Sequence, residues 1–241
     1  MSDTEYQPDF VLTRELLREG LVPSGFSGCN TDKRLVPGFP EMLVRINRGE
    51  SDERMQAAND SHRKLADYKI NLINYVVITE MAEPHIVTQI VHGEKLIDAI
   101  ENGQVSSEEL EETWSALIDY HVKMFKDEEP IARDIVTTEQ YMYGRLYNQP
   151  EDKIYPVDLS EFSGKYAQDN MTFCDNLVRL AEGIVEMEKA GDLSLENARL
   201  KLHGAMSELP RDFEYLADLH KLIDIILTEG SPGLAFDEFI I

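Results

Sequence analysis

The side chains with the clearest capacity for chemistry lie between residues 130 and 162. Asp134, Glu139, Gln140 and Asp158 supply carboxylate and amide oxygens within this stretch. Such oxygens are the ligands that hard divalent cations prefer, and several of them converging on one edge could hold Mg²⁺. These residue types therefore indicate a metal site, provided that the chain folds back on itself between them.

The residues themselves predict that the chain folds back. Tyr, Ile and Val alternate with polar residues over 141–147 and over 153–158, which favours two strands of a pleated pair. The NQPED segment between them (148–152) is turn-forming, because Asn tolerates unusual dihedral angles and Pro fixes one. We therefore expect an antiparallel hairpin here.

The register of that hairpin decides which side chains meet. If Tyr147 lies opposite Lys153, the antiparallel register places Met142 opposite Asp158. Four side chains then gather at the open end of the hairpin, with Asp134 one short loop away; they are Glu139, Gln140, Asp158 and Glu161. An alternative stays open, because the chain has 46 acidic residues in 241 and solvated loop charges would also bring carboxylates near one another.

The charge balance limits the classes of partner. Lys and Arg number 23 against 46 Asp and Glu, and the resulting net charge of −23 repels phosphate backbones. No apolar run approaches the ~20 residues that a membrane span needs. The acidic N-terminal segment has no signal-peptide pattern. We therefore expect a cytoplasmic protein with no nucleic-acid or membrane partner.

The cysteines and histidines indicate neither a disulfide scaffold nor a zinc site. Cys29 and Cys174 lie far apart in the chain without a CxxC pattern, so free thiols are expected. The six histidines show no HxxxH or HExxH spacing.

The first 91 residues are predicted to be strands with one helix among them. EMLVRI (41–46) is a strand, and Ser51 opens the helix. The β-rich runs 74–81 and 85–91 form a hairpin, whose second strand ends at Gly93. The GLVPSGFSG segment favours a turn between two strands, with a loop that approaches phosphate as the alternative.

The rest of the chain is predicted to be helical around the hairpin. Ser106 and Glu109 form a capping box that starts a helix reaching about Lys126. Three more helices follow; Ser194 caps the second, and Pro210 lies in the first turn of the third.

This segregation of strands and helices predicts an α+β fold. We expect two lobes that join near residues 90–93. The N-lobe would cover 1–91 and be mostly β with one helix. The C-lobe would cover 92–241, be mainly helical, and carry the hairpin.

The order of these elements resembles the protein kinase-like superfamily, which includes protein kinases and small-molecule phosphotransferases. MLVRI is similar to the strand with the basic residue, and IVTQIVHGEKL to the last N-lobe strand, the hinge and the glycine that follows. ARDI is similar to the catalytic-loop HRDL motif, and YPVDLSE to the metal-binding DFG region. The resemblance covers roughly Glu41 to Phe162 and implies a two-lobed kinase-like fold with a small antiparallel-sheet N-lobe.

The resemblance assigns roles to the acidic residues. Asp134 would be the catalytic aspartate, which orients an acceptor hydroxyl and takes its proton. Asp158 would hold Mg²⁺ against the phosphates of ATP or another nucleotide. Glu139 falls where the family has asparagine, and Gln140 fits that position if the loop is one residue longer.

The resemblance also assigns a nucleotide-binding wall. Arg45 lies where the family has its phosphate-binding lysine. Backbone groups of Gln89, Ile90 and Val91 would bind the adenine edge.

Departures from the family pattern support a second interpretation of the function. Ala132 replaces the motif histidine, Ser160 replaces the glycine after the metal aspartate, and no glycine-rich loop is recognisable. Arg45 replaces lysine, and a planar guanidinium is not equivalent to an ammonium point charge. The chain is therefore either a Mg²⁺-dependent phosphotransferase acting on an unidentified small-molecule or protein hydroxyl, or an inactive pseudokinase-type regulatory or binding module. An acidic adaptor with an unrelated α+β fold is the third alternative.

Overall fold

The structure is a computed structural model of the protein. It describes residues 20–24, 31–47, 51, 60, 63–73, 75–78, 85–129, 131–132, 134–147, 149–157, 162–163, 170–210, 212–233 and 236–239. This part of the chain is α+β, with small antiparallel sheets and several helices, as the sequence predicts.

Five strands near the N-terminus form an antiparallel sheet in the order β1-β2-β3-β5-β4. They are β1 (Val22–Pro23), β2 (Thr31–Val36), β3 (Phe39–Asn47), β4 (Tyr75–Ile78) and β5 (His85–Gln89). The predicted EMLVRI strand and the hairpin of β4 and β5 are confirmed. The segment with Gly25 and Gly28 falls between β1 and β2, outside the described residues.

The two faces of this sheet pack against different clusters of apolar side chains. Val44 and Val87 are register partners and belong to a small cluster on one face. Arg45 and Ile86, the next pair along the same strands, point to the opposite face because strand side chains alternate. Ile86 belongs to the main core of the protein. Arg45 is therefore a buried cation on the core-facing side, with 3% of its surface exposed.

A second sheet of three antiparallel strands follows almost at once. It has the order β6-β8-β9, with β6 at His92–Lys95, β8 at Tyr141–Arg145 and β9 at Lys153–Pro156. Ile90 and Val91 alone separate β5 from β6. The expectation that Gly93 ends a strand is therefore wrong, since Gly93 lies inside β6 and opposite Gly144 of β8.

The hairpin of β8 and β9 exists, but its predicted register is wrong by three residues. Lys153 lies opposite Gly144 rather than Tyr147, and Met142 lies opposite Tyr155 rather than Asp158. The turn begins earlier than NQPED, because the N–H of Gln149 donates to the carbonyl of Leu146 at 3.0 Å. Leu146 is buried there instead of continuing the strand.

The helices and short elements complete the fold. Two short strands, β7 (Ile131–Ala132) and β10 (Phe162–Ser163), pair with each other. The 3₁₀ helices among the described residues are η1 (Leu65–Tyr68), η2 (Asp134–Val136) and η3 (Thr138–Gln140). The α-helices are α1 (Leu96–Glu101), α2 (Ser107–Lys126), α3 (Asn170–Gly191), α4 (Glu196–Ser207), α5 (Leu216–Glu229) and α6 (Phe236–Phe239).

Of the helix starts predicted at Ser106, Ser194 and Pro210, the first is confirmed and the other two are wrong. The capping box at the start of α2 is confirmed, with Ser106 and Glu109 bonding each other's backbone. Ser194 does not cap α4, whose N-cap is Leu195 without a side-chain hydrogen bond. Pro210 does not begin α5, which starts at Leu216. In the part of the chain that the structure describes, no helix is long and apolar enough to cross a membrane.

The core is built around α2 and α3. The indole Nε1 of Trp114 donates to the carbonyl of Leu180 at 3.1 Å, and Phe125 stacks on Phe173 with ring centroids 4.0 Å apart. These contacts fix α3 against α2, and α3 also meets η2 and η3.

The contact between β6 and β8 requires two glycines. A Cβ on Gly93 would lie 2.0 Å from the carbonyl oxygen of Tyr143, and one on Gly144 would lie 2.5 Å from that of His92.

We predict that Gly93→Ala lowers stability by about 1–3 kcal/mol, as overpacking does. Gly204→Ala is the control, because nothing lies within 4 Å of its Cβ and Ala favours a helix by about 0.5–1 kcal/mol. Urea unfolding compares the two; equal stability of Gly93→Ala and the unchanged protein would contradict the contact.

A buried histidine makes stability depend on pH. Desolvation lowers the pKa of His121 to about 3, against 6.5 when unfolded, and neither ring nitrogen has a hydrogen-bond partner among the described residues. The unfolded chain therefore takes up the proton first, and stability is lost as pH falls below 6.5. We predict a loss of about 2 kcal/mol from this residue between pH 7 and pH 5. His121→Leu should flatten the pH profile of urea unfolding, whereas the same change at exposed His92 should not.

Candidate functional site

The loop between β7 and β8 contains most of the predicted catalytic and metal-binding residues, and hydrogen bonds within the loop hold it closed. The hydroxyl of Tyr141 donates to the carbonyl of Ile135 at 2.7 Å, and both residues are fully buried. Burial raises the pKa of the Tyr141 phenol well above its ordinary value, so the hydroxyl keeps its proton. The N–H of Gln140 donates to the carbonyl of Thr137 at 3.2 Å. The loop from residue 134 to residue 140 therefore has a fixed path.

Val157 joins this loop to the five-stranded sheet. Its N–H donates to the carbonyl of Gln140 at 2.8 Å, which continues the β8–β9 pairing. Its carbonyl accepts a long hydrogen bond, 3.5 Å, from Nη1 of Arg45. The peptide group before Val157 thus contacts the loop, and the peptide group after it contacts the buried guanidinium of Arg45 on β3. Asp158 is the next residue in the chain.

The pairing of β7 with β10 closes the arrangement from the other side. Phe162 lies opposite Ala132, and Ser163 lies opposite Ile131. The strand that follows residues 158–161 is therefore paired with the strand that precedes Asp134. The described residues on either side of this segment are thus paired, Val157 with Gln140 and Phe162 with Ala132.

The predicted acidic residues are described to different extents. The backbone of Asp134 begins η2, and its side chain is outside what the structure describes, as is the whole of Asp158. Glu139 is exposed and Gln140 is half-buried, at the end of the loop bonded to Val157. The described residues contain no group of three or more His, Cys, Asp and Glu side chains placed to hold a metal, and the predicted set extends beyond them through Asp158.

The residues predicted to bind the adenine edge connect the two sheets. Gln89 ends β5 opposite Met42, and the N–H of Ile90 donates to the carbonyl of Glu41 at 2.8 Å. Gln89 and Val91 are both buried. The N–H of Ile90 is thus used within the protein, and a ligand at this edge would have to use other backbone groups.

Sequence reasoning did not identify Val157, Thr138 or Glu186 as part of this region. The buried hydroxyl of Thr138 donates to the carboxylate of Glu186 on α3. The two residues lie 48 positions apart, and neither belongs to a local motif that could have indicated the contact. Val157 contributes only its backbone, which carries no sequence signal.

A groove of about 650 Å³ lies away from the predicted site, between η1, the outer face of α2 and the start of β9. Its walls include Asp67, Glu109 and Asp119. Glu109 is engaged in the capping box, and Asp119 forms an ion pair with Lys201. We therefore attribute Glu109 to the start of α2 and Asp119 to the ion pair with Lys201, and we do not assign them to the predicted chemistry.

Comparisons with known proteins give no family assignment. No protein-family model matches the sequence, and no curated protein matches it.

The closure of the loop by Tyr141 leads to a prediction. Tyr141→Phe removes the hydroxyl and leaves the buried carbonyl of Ile135 unpaired, which should lower stability by about 1–3 kcal/mol. Tyr147→Phe is the matched control, because Tyr147 is 48% exposed. Chemical unfolding of both variants measures the difference. A Tyr141→Phe protein as stable as the Tyr147→Phe protein would show that this bond does not hold the loop.

Proposed function

We propose that the protein is a kinase-like nucleotide-binding protein that uses Mg²⁺ to transfer a phosphoryl group from ATP, or another nucleotide, to a small-molecule or protein hydroxyl. The observation that carries the proposal is the set of backbone contacts around Val157. They link the chain segments of Asp134, Glu139, Gln140 and Asp158 to one another and to the cation of β3.

The proposal includes a two-lobed arrangement. The five-stranded sheet would form one lobe, and the helices with the three-stranded sheet would form the other, joined through Ile90 and Val91. The nucleotide would lie between them, with its adenine edge against the backbone of Gln89 to Val91. The short connection and the contact of Arg45 with Val157 support this placement.

The donor set suits the chemistry of phosphoryl transfer. This reaction depends on positioning and charge stabilisation, so it needs a carboxylate near the nucleophile and oxygen ligands for a hard cation. Bound Mg²⁺ would neutralise charge on the phosphates. Asp158, with Glu139 or Gln140, would hold it, and these are oxygen ligands of the kind that Mg²⁺ prefers.

The bond changes follow from these roles. The acceptor oxygen bonds to the γ-phosphorus as the bond from that phosphorus to the β,γ-bridging oxygen breaks, which releases the nucleoside diphosphate. The hydroxyl proton passes to the carboxylate of Asp134. The guanidinium of Arg45 would stabilise negative charge on the phosphate oxygens from the opposite wall.

A pseudokinase-type regulatory or binding module is the second candidate, and specific contacts favour it. The guanidinium of Arg45 donates to a backbone carbonyl, and the N–H of Ile90 donates to that of Glu41. Both groups are therefore engaged in holding the fold. Such a protein would bind a nucleotide or a protein with little or no turnover.

Thermal unfolding with and without nucleotide and Mg²⁺ tests the proposal. A ligand at 100 times its dissociation constant stabilises by about 2.7 kcal/mol, which shifts the melting temperature of a protein of this size by roughly 5–10 °C. We predict such a shift with ATP and Mg²⁺. Asp158→Ala should remove its Mg²⁺-dependent part, and Asp134→Asn should keep binding but lose ATP turnover.

Asp152→Asn is the matched control, because Asp152 is an exposed carboxylate at the other end of the same hairpin. It should leave both the shift and the turnover unchanged. A shift without turnover in the unchanged protein would favour the pseudokinase alternative. No shift with any nucleotide would refute nucleotide binding altogether.

A further inference from the structure

Thr138 has a buried hydroxyl. It lies in η3, in the middle of the loop that carries the candidate metal ligands, and 1% of its surface is exposed. A buried hydroxyl needs a hydrogen-bond partner to offset its desolvation. Its Oγ1 donates to the carboxylate of Glu186 on α3. A hydrogen bond to a carboxylate is stronger than one between neutral groups.

This bond adds a side-chain hydrogen bond to the packing of η2 and η3 against α3. Tyr141 closes the loop onto Ile135, and Val157 holds Gln140 from the side of β9. Glu186 instead attaches the loop to α3, a helix of 22 residues with a buried apolar face. Glu186 itself is exposed on this helix, whereas its neighbours Ile184 and Met187 are fully buried and pack the helix into the core.

The anchoring of Thr138 sets the direction of the next two side chains. Successive residues of a 3₁₀ helix are rotated by about 120°, since it has three residues per turn. With Thr138 turned inward to α3, Glu139 must point elsewhere, and it is exposed while Gln140 is half-buried. The direction of Thr138 toward α3 therefore constrains the directions of Glu139 and Gln140.

We propose that Thr138 and Glu186 are positioning residues that hold the loop of residues 134–140 so that Glu139 or Gln140 can serve the metal bound with nucleotide. Neither of the two contacts the metal or the nucleotide itself. The inference rests on the proposed function for its metal-binding part. The attachment of the loop to α3 can be measured without any ligand.

Two substitutions at Thr138 separate the hydroxyl from the shape of the side chain. Thr138→Val keeps the branched shape and loses the donor, whereas Thr138→Ser keeps the donor. Glu186→Gln keeps an acceptor oxygen and loses the charge, so a weaker bond and an intermediate effect are expected. Glu182→Gln is the control, because Glu182 lies on the same helix and accepts a hydrogen bond from Ser231 instead.

Hydrogen–deuterium exchange of the full chain without ligand gives the first measurement. Thr138→Val should speed exchange in residues 134–140 by about tenfold, the effect of losing one hydrogen bond to a charged group. Thr138→Ser and Glu182→Gln should exchange as the unchanged protein does. Equal exchange in Thr138→Val would overturn the attachment of the loop through this bond.

Thermal shift with ATP over a Mg²⁺ titration gives the second measurement. Thr138→Val should need about tenfold more Mg²⁺ for half of the Mg²⁺-dependent shift, and Thr138→Ser should restore the original value. An unchanged Mg²⁺ requirement in Thr138→Val would overturn the positioning role. If the unchanged protein shows no shift, the proposed function fails and the metal part of the inference with it, while the exchange result still decides the attachment to α3.

Discussion

The backbone at Val157 makes hydrogen bonds in two directions, and the arrangement of the candidate site depends on them. Its N–H extends the β8–β9 pairing by one residue to Gln140, and its carbonyl meets the guanidinium of Arg45 from the five-stranded sheet. The buried arginine needs an acceptor, because an unpaired charge is very unfavourable in a core. The N–H bond to Gln140 brings the chain just before Asp158 against the loop that follows Asp134. The peptide segment that gives the buried arginine an acceptor therefore also joins the two parts of the proposed site.

Charge repulsion would oppose the proposed gathering of carboxylates. Two unit charges about 4 Å apart repel by ~4 kcal/mol at an effective dielectric constant of ~20, and the protein already carries a net charge of −23. Carboxylates would therefore separate unless the backbone held them. The pairing of β7 with β10, the bond from Val157 to Gln140 and the bond from Thr138 to Glu186 restrain the segments involved. A divalent cation bound there would turn the repulsion into attraction.

The sequence predicts those parts of the structure that local interactions decide. The start of α2 follows from Ser106 and Glu109, which lie one helical turn apart and bond each other. The hairpin register depends instead on where Leu146 becomes buried, and the alternation of residues continues past that point, so the prediction was displaced by three residues. The local sequence predicts that Gly93 ends a strand, yet Gly93 permits the close approach of the backbones of β6 and β8. The Thr138–Glu186 bond joins distant positions and has no local signature.

The central claim is that the segments around Val157 form one metal site together with a nucleotide. Paramagnetic broadening of backbone amide signals by Mn²⁺, in the presence of ATP, tests it most directly. We predict that the amides of Gln140 and Val157 broaden together at substoichiometric Mn²⁺, and that Asp158→Ala abolishes this effect. Broadening confined to exposed acidic surfaces such as the first turn of α2, with Gln140 and Val157 unaffected, would contradict it.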